Sequence, residues 1–262
     1  MIIDAHTHVF NKKAGITRET EAARFWNMET SGDWLVTSMD FAGVGKAFLI
    51  TYNSDDIRVN ISPHDAEKGN LDSALSEEYG IEIFKRYPGR FYLFMDSVNP
   101  NKEGCYGRFL ANIERGITGI KMLPGFFGVY MDDERFMPIY ETCERRGIPV
   151  IADTSYWYVN SPGFPIQEPG GKDFTRHLEH TGAVAAAFPG LRIQMAHYGT
   201  PQEVGPIVNG GEYKYIAPFV KLMQKYDNLF VDTAALPFDT SPGYPFPDVA
   251  AFIKHLCGEI GS

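Results

Sequence analysis

The chain has 262 residues, of which 44% are hydrophobic and 22% charged, with a net charge of −9. That is globular composition rather than disorder, and the acidic balance argues against a broad phosphate-binding surface for nucleic acid. Three scattered cysteines, Cys105, Cys143 and Cys257, form neither a zinc-finger spacing nor a disulfide framework, which favours a reducing compartment.

The first element is the segment Ile2-Ile3-Asp4-Ala5-His6-Thr7-His8. Side chains on a strand alternate between faces, so His6 and His8 at i and i+2 reach one side, with Asp4 below them. Two neutral imidazoles converging on a point suit a borderline divalent cation, zinc foremost. The bland reading is two polar residues at a strand end. A strand starting at Ile2 leaves no room for a signal peptide, and no apolar run reaches membrane-spanning length, so a cytoplasmic protein is expected.

After the first apolar run, Ile2–Ala5, short apolar runs recur at Lys46–Thr51, Phe91–Ser97, Gly119–Leu123, Ile148–Ala152, Arg192–Ala196 and Leu229–Asp232. Gly45, Pro88-Gly89, Gly116, Gly147, Pro189-Gly190 and Asp227-Asn228 precede them, as where a helix hands over to a buried strand. Between strands the pattern is helical. Glu77 to Tyr87 and Lys172 to Phe188 read as helices. After the capping candidates Asp132 and Asp133, the residues Phe136, Ile139, Tyr140 and Cys143 fall at i, i+3, i+4 and i+7.

Strands alternating with helices predict an α/β fold with a parallel sheet, closed as a TIM (β/α)8-type barrel, in one domain over residues 1–262. An open doubly wound sheet is the rival, but no Gly-x-Gly-x-x-Gly follows any strand. Strand starts lie roughly 30 to 45 residues apart, so seven are visible and the eighth is due just past Ser262. The expectation is therefore a barrel whose strand eight is missing because the chain is truncated at its C-terminal end.

In a barrel, polar groups at strand C-terminal ends gather at the mouth, where sites are built. These are His6 and His8, Lys121, Asp153, His197 and Asp232. Each has a structural counterpart: Lys121 as the partner of a carboxylate, Asp232 as the cap of a turn. His64, His177, His180 and His255 read as surface or packing residues. The loops carrying Tyr156-Trp157-Tyr158, Pro162-Gly163-Phe164-Pro165, Leu236-Pro237-Phe238 and Pro242-Gly243-Tyr244-Pro245-Phe246-Pro247 are rich in aromatics and proline. They suit a lidded pocket for an apolar or aromatic substrate, with Tyr156 and Trp157 as lining, or else pack on themselves.

The motifs Asp4-Ala5-His6-Thr7-His8, Gly119-Ile120-Lys121, Ile148-Pro149-Val150 and Arg192-Ile193-Gln194-Met195-Ala196-His197-Tyr198-Gly199 resemble the amidohydrolase superfamily. The similarity is to its amidohydrolase-2 group of TIM-barrel metal-dependent hydrolases, which includes nonoxidative decarboxylases related to aminocarboxymuconate semialdehyde decarboxylase. The resemblance implies that His6 and His8 bind a divalent metal, usually zinc, and that His197 acts on substrate or on an activated water. It also makes a homodimer an expectation. Asp153 stands where the family commonly has a histidine, so a carboxylate either replaces that ligand or leaves a weaker site. The family's strand-eight aspartate has no counterpart here.

On these residues the expected function is hydrolysis of a small amide, ester or lactone. His6, His8 and Asp153 would hold the metal, His197 would move protons, Lys121 would orient an anionic group, and Asp4 would support a ligand from behind. The alternatives are decarboxylation of an aromatic or unsaturated acid at the same site, a histidinol-phosphatase-type phosphoesterase, and a catalytically silent binding barrel. The expected partner is a small molecule, not nucleic acid or a membrane.

Overall fold

The computed structural model describes residues 1–9, 31–52, 77–96, 98–127, 129–153, 175–197, 216–234 and 247–261. The chain divides into two compact units, Met1–Lys121 and Met122–Ser262.

The first unit alternates β1 (Ile2–His8), α1 (Gly32–Ala42), β2 (Val44–Tyr52), α2 (Glu77–Arg86), β3 (Phe91–Asp96), α3 (Cys105–Glu114) and β4 (Gly119–Met122), β4 ending at the boundary. Neighbours β1–β2, β2–β3 and β3–β4 all pair in parallel. Helix α1 starts where the Ser31 hydroxyl accepts the Trp34 N–H, and it stops at Gly43 in the left-handed region at φ 69°. The stop therefore falls at Gly43, two residues before the expected Gly45, which instead lies inside β2. Gly43 serves because that backbone conformation costs a residue without Cβ nothing.

Register sorts this sheet into two faces. Leu49 pairs with Leu93 and Met95 with Ile120, and all four are fully buried. Thr51, on that same face, lies against Gly80 of α2, so this is the side the helices cover. The opposite face carries Phe48 beside Tyr92, Ile50 beside Phe94, and His8 beside Ile50. Phe94 pairs with Gly119, which places Lys121, two residues on, on the same face. A Cβ at Gly119 would come 2.1 Å from the Phe94 ring. Only glycine there leaves Phe94 free to stack on Phe48, with centroids 4.7 Å apart and planes 23° from parallel.

The second unit has two short 3-10 turns, Pro124–Phe127 and Glu134–Phe136. They are followed by α4 (Met137–Arg146), β5 (Val150–Asp153), α5 (Thr175–Ala187), β6 (Ile193–Ala196), α6 (Ile216–Lys225), β7 (Leu229–Val231) and α7 (Pro247–Ile260). Here β5–β6 and β6–β7 pair in parallel. The expected helical face is present: Phe136, Ile139, Tyr140 and Cys143 are all fully buried. The helix starts later than Asp133, however. Asp133 caps the 3-10 turn through Arg135, and α4 proper begins at Met137, where Pro138 fits the first turn because its missing N–H is not needed there.

All seven anticipated strands form, with ends shifted by up to three residues. Strand β1 runs on to include both histidines, and β5 starts at Val150 and takes in Asp153. Among the described residues no helix is long and apolar enough to cross a membrane.

Candidate metal and catalytic site

In the first unit, His6 and His8 turn toward each other as the i, i+2 spacing predicts. Their Nε2 atoms are 3.2 Å apart, with ring centroids at 5.1 Å and planes inclined by 65°. Two nitrogens bound to one zinc ion at about 2.0–2.1 Å, near the tetrahedral angle, would lie about 3.3 Å from each other. The separation thus fits a shared cation. A second contact sets the direction of the His8 ring. Its Nδ1 lies 3.1 Å from the Ile50 carbonyl, so the N–H sits on Nδ1 and the Nε2 lone pair points outward.

The local backbone explains how the rings meet. Pairing of β1 with β2 steps from Asp4 opposite Ala47 to Thr7 opposite Leu49, so three residues of β1 span two of β2. That irregularity re-aims the end of the strand, a common use of a bulge beside a site. Thr7, between the two histidines, points the other way, and its hydroxyl donates to the Phe48 carbonyl at 2.7 Å. The Asp4 carboxylate accepts the backbone N–H of His6 at 3.1 Å, so it braces the strand at the first ligand candidate.

Lys121 has 0% exposure, on the face that also carries His8. A fully buried ammonium is tolerated only with compensating partners. Its position on the sheet is the one expected for a group facing the strand-end region.

In the second unit, register aligns Asp153 with Ala196 and Gln194 with Phe230, which sets Asp153, Gln194 and Asp232 on one face. Simple alternation would send His197 to the other. Instead His197 is the one non-glycine residue at positive φ among those described, at 55°. Its ring lies beside Asp153, with Nε2 to Oδ2 at 3.4 Å, while the Asp153 side chain is almost wholly buried. Asp232 holds this turn: its Oδ1 accepts the backbone N–H groups of His197 (2.9 Å) and Ala234 (3.1 Å), and its Oδ2 accepts from Gln194 Nε2 (2.6 Å). The contact with Ala234 is the turn cap that the sequence suggested for Asp232. The contacts with His197 and Gln194 were not anticipated, although strand alternation places Gln194 and Asp232 on one face and could have suggested a pair.

Two histidines read as packing residues have more specific surroundings. His180 Nδ1 sits 2.7 Å from the Asp132 carboxylate, and its ring stacks on Tyr130 with centroids 3.9 Å apart. His177 is buried against the same tyrosine at 5.0 Å. Tyr156, Trp157, the other aromatic loops and His64 lie outside the described residues.

Comparison with known proteins adds the lineage. The amidohydrolase family profile matches residues 3–259. No curated protein sequence matches. Among solved structures, an uncharacterised TIM-barrel protein from Bordetella bronchiseptica is similar at 19% identity and a TM-score of 0.61, covering 97% of this chain and 80% of that one. A probable 2-pyrone-4,6-dicarboxylic acid hydrolase from Acinetobacter baumannii is similar at 11% identity and a TM-score of 0.61, over 99% and 79% of the two chains. A 5-carboxyvanillate decarboxylase from Sphingomonas paucimobilis is similar at 12% identity and a TM-score of 0.55, over 99% and 85%. At these identities the likeness speaks for the fold, an α/β barrel of TIM type, and the profile speaks for lineage. The chain belongs to the amidohydrolase family.

Proposed function

We propose that this protein is a metal-dependent hydrolase of a small amide, ester or lactone. The observation that carries the reading is the His6–His8 pair, with Nε2 atoms 3.2 Å apart and the His8 ring oriented by the Ile50 carbonyl. That donor set suits zinc. His6 and His8 would hold the cation, with Asp153 as a third ligand supplied by β5. When bound, the metal supplies Lewis acidity, which polarises a carbonyl and makes water a better nucleophile at neutral pH.

The remaining work falls to the chain's own groups. His197 takes a proton as water adds to the carbonyl carbon and returns it to the departing amine or alkoxide. Asp153, beside the His197 ring, orients the imidazole for that transfer. Lys121 orients an anionic part of the substrate, and Tyr156 and Trp157 are proposed to line the pocket. The proposal keeps one barrel domain over residues 1–262, a cytoplasmic setting, a small-molecule substrate, no nucleic-acid or membrane partner, and a homodimer.

A second reading, decarboxylation of an aromatic or unsaturated acid, draws on the Asp153–His197 pair. An acid–base pair of this kind can hold the proton that replaces carbon dioxide on the ring carbon.

Elemental analysis of the purified protein tests the metal. Stoichiometric zinc is expected in the wild type, with at least a tenfold loss of affinity in His6→Ala and in His8→Ala. His197→Asn should keep the metal and lose turnover on a panel of lactones, esters and aromatic acids. Carbon dioxide release from the acids would select the second reading. Full metal content in His6→Ala would overturn the assignment, and wild-type protein without zinc would indicate a silent binding barrel.

A further inference from the structure

The left-handed backbone at His197 calls for a cause. Glycine takes positive φ freely, whereas a residue with a Cβ there costs of order 1 kcal/mol or more. Among the described residues the chain accepts that cost at one position, where the flip carries an imidazole to a buried carboxylate. A strand ending in the ordinary way would send the ring to the opposite face of β6. Something must hold the turn, and the structure shows what does.

Asp232 lies 35 residues downstream at the end of β7, and its carboxylate receives three donors. Oδ1 takes the N–H of His197 at 2.9 Å and that of Ala234 at 3.1 Å. Oδ2 takes the Gln194 amide at 2.6 Å. The side chain is nearly buried, at 7% exposure, so these bonds form in a medium that strengthens them. The Ala234 bond fixes the carboxylate to its own strand end. The Gln194 bond sets its rotation. The remaining direction is spent on the one backbone amide whose position decides where the His197 ring goes.

We propose that Asp232 is a positioning residue, which locks the backbone of His197 in the left-handed conformation and so delivers the imidazole to Asp153. The functional consequence rests on the reading of His197 as the proton-handling group, but the conformational claim does not. In this positioning role Asp232 serves as a hydrogen-bond acceptor, so its acceptor oxygens matter more than its charge. A role as a metal ligand would reverse that ranking.

The test compares three variants in the full chain. Asp232→Leu removes both acceptors at similar volume. Asp232→Asn keeps one acceptor for the two backbone amides, and its NH2 can donate to a flipped Gln194 amide. Gln194→Met removes the rotational brace and leaves both backbone donors of Asp232 in place. The first readout is the set of His197 backbone and Cβ chemical shifts in isotope-labelled protein, which reports the left-handed conformation whether or not the protein binds metal or turns anything over. Wild-type shifts are expected in Asp232→Asn, loss of the left-handed signature in Asp232→Leu, and an intermediate displacement in Gln194→Met. The second readout is zinc content, expected to be unchanged in Asp232→Asn. Unaltered His197 shifts in Asp232→Leu would overturn the proposal. If that variant fails to fold, unaltered shifts in Gln194→Met would do so, as would loss of zinc in Asp232→Asn. Shifts that respond as expected in a protein devoid of zinc would sink the metal reading and leave the positioning claim standing.

Discussion

The two histidine environments are built in opposite ways. His6 and His8 sit on a strand whose regular alternation already aims them together, and the surroundings only trim the result: one carbonyl for the His8 ring, one irregular step in pairing. His197 is aimed against alternation, by a strained residue and a carboxylate from another strand. The first arrangement is local, set by contacts within β1 and with β2. The second is a network, and networks fail as units. Conformational precision bought with strain is therefore expected to be the more fragile of the two.

Four measurements probe that contrast. The largest effect is expected from Phe94→Ala, which removes the stacked aromatic layer on the face that carries His8. A loss of about 3–5 kcal/mol in urea unfolding is expected for such a truncation. Weaker zinc binding should accompany it if the sheet, and not β1 by itself, aims the imidazoles. Unchanged affinity in a folded variant would show that β1 suffices. Next comes Thr7→Val. It leaves the Phe48 carbonyl without its hydroxyl donor, for about 1–3 kcal/mol, and tests whether the brace between the histidines matters to them. Zinc titration of this variant should show a modest loss, well short of that in His6→Ala.

The third concerns burial in the second unit. Burial lifts the Cys143 thiol from 9.0 to about 12. The folded protein therefore keeps a proton that the unfolded chain gives up, and the stability this confers is present below pH 9 and lost as pH rises from about 9 to 12. Denaturant midpoints should fall across that window, and Cys143→Ala should flatten the slope. Tyr140 is pushed upward in the same way, so some slope should survive. An unmodified slope in Cys143→Ala would place the effect elsewhere. The smallest effect is expected from Arg86→Met. It breaks a surface pair with Asp33 at 2.9 Å between two well-exposed side chains, and thermal melts should scarcely move.

Legibility followed the same divide. The strand order, the parallel arrangement, the buried stripe Phe136-Ile139-Tyr140-Cys143 and the convergence of His6 with His8 could all be read from the chain. Each rests on a repeat of two or 3.6 residues. The turn at Asp227-Asn228 was legible too, but not its work. Asn228 Nδ2 reaches the carbonyls of Ala185, Phe188 and Leu191 and so ties off the passage from α5 into β6. His180 looked like a surface or packing residue because its partners Asp132 and Tyr130 lie about 50 positions away. Asp232 was read as a cap, correctly as far as Ala234 goes, because only that contact is local.

The order of residues along the chain specifies the alternation of parallel strands and helices, the common face of His6 and His8, and so an imidazole pair fit for a cation. Periodicity is a property of neighbours along the chain, so it survives without coordinates. Tertiary structure alone decided that His197 leaves the regular path and that Asp232 and Gln194 hold it there. It also decided that Lys121 has no solvent to face. Those outcomes depend on which groups compete for the same hydrogen bonds once strands lie side by side, and a linear pattern carries no record of that competition.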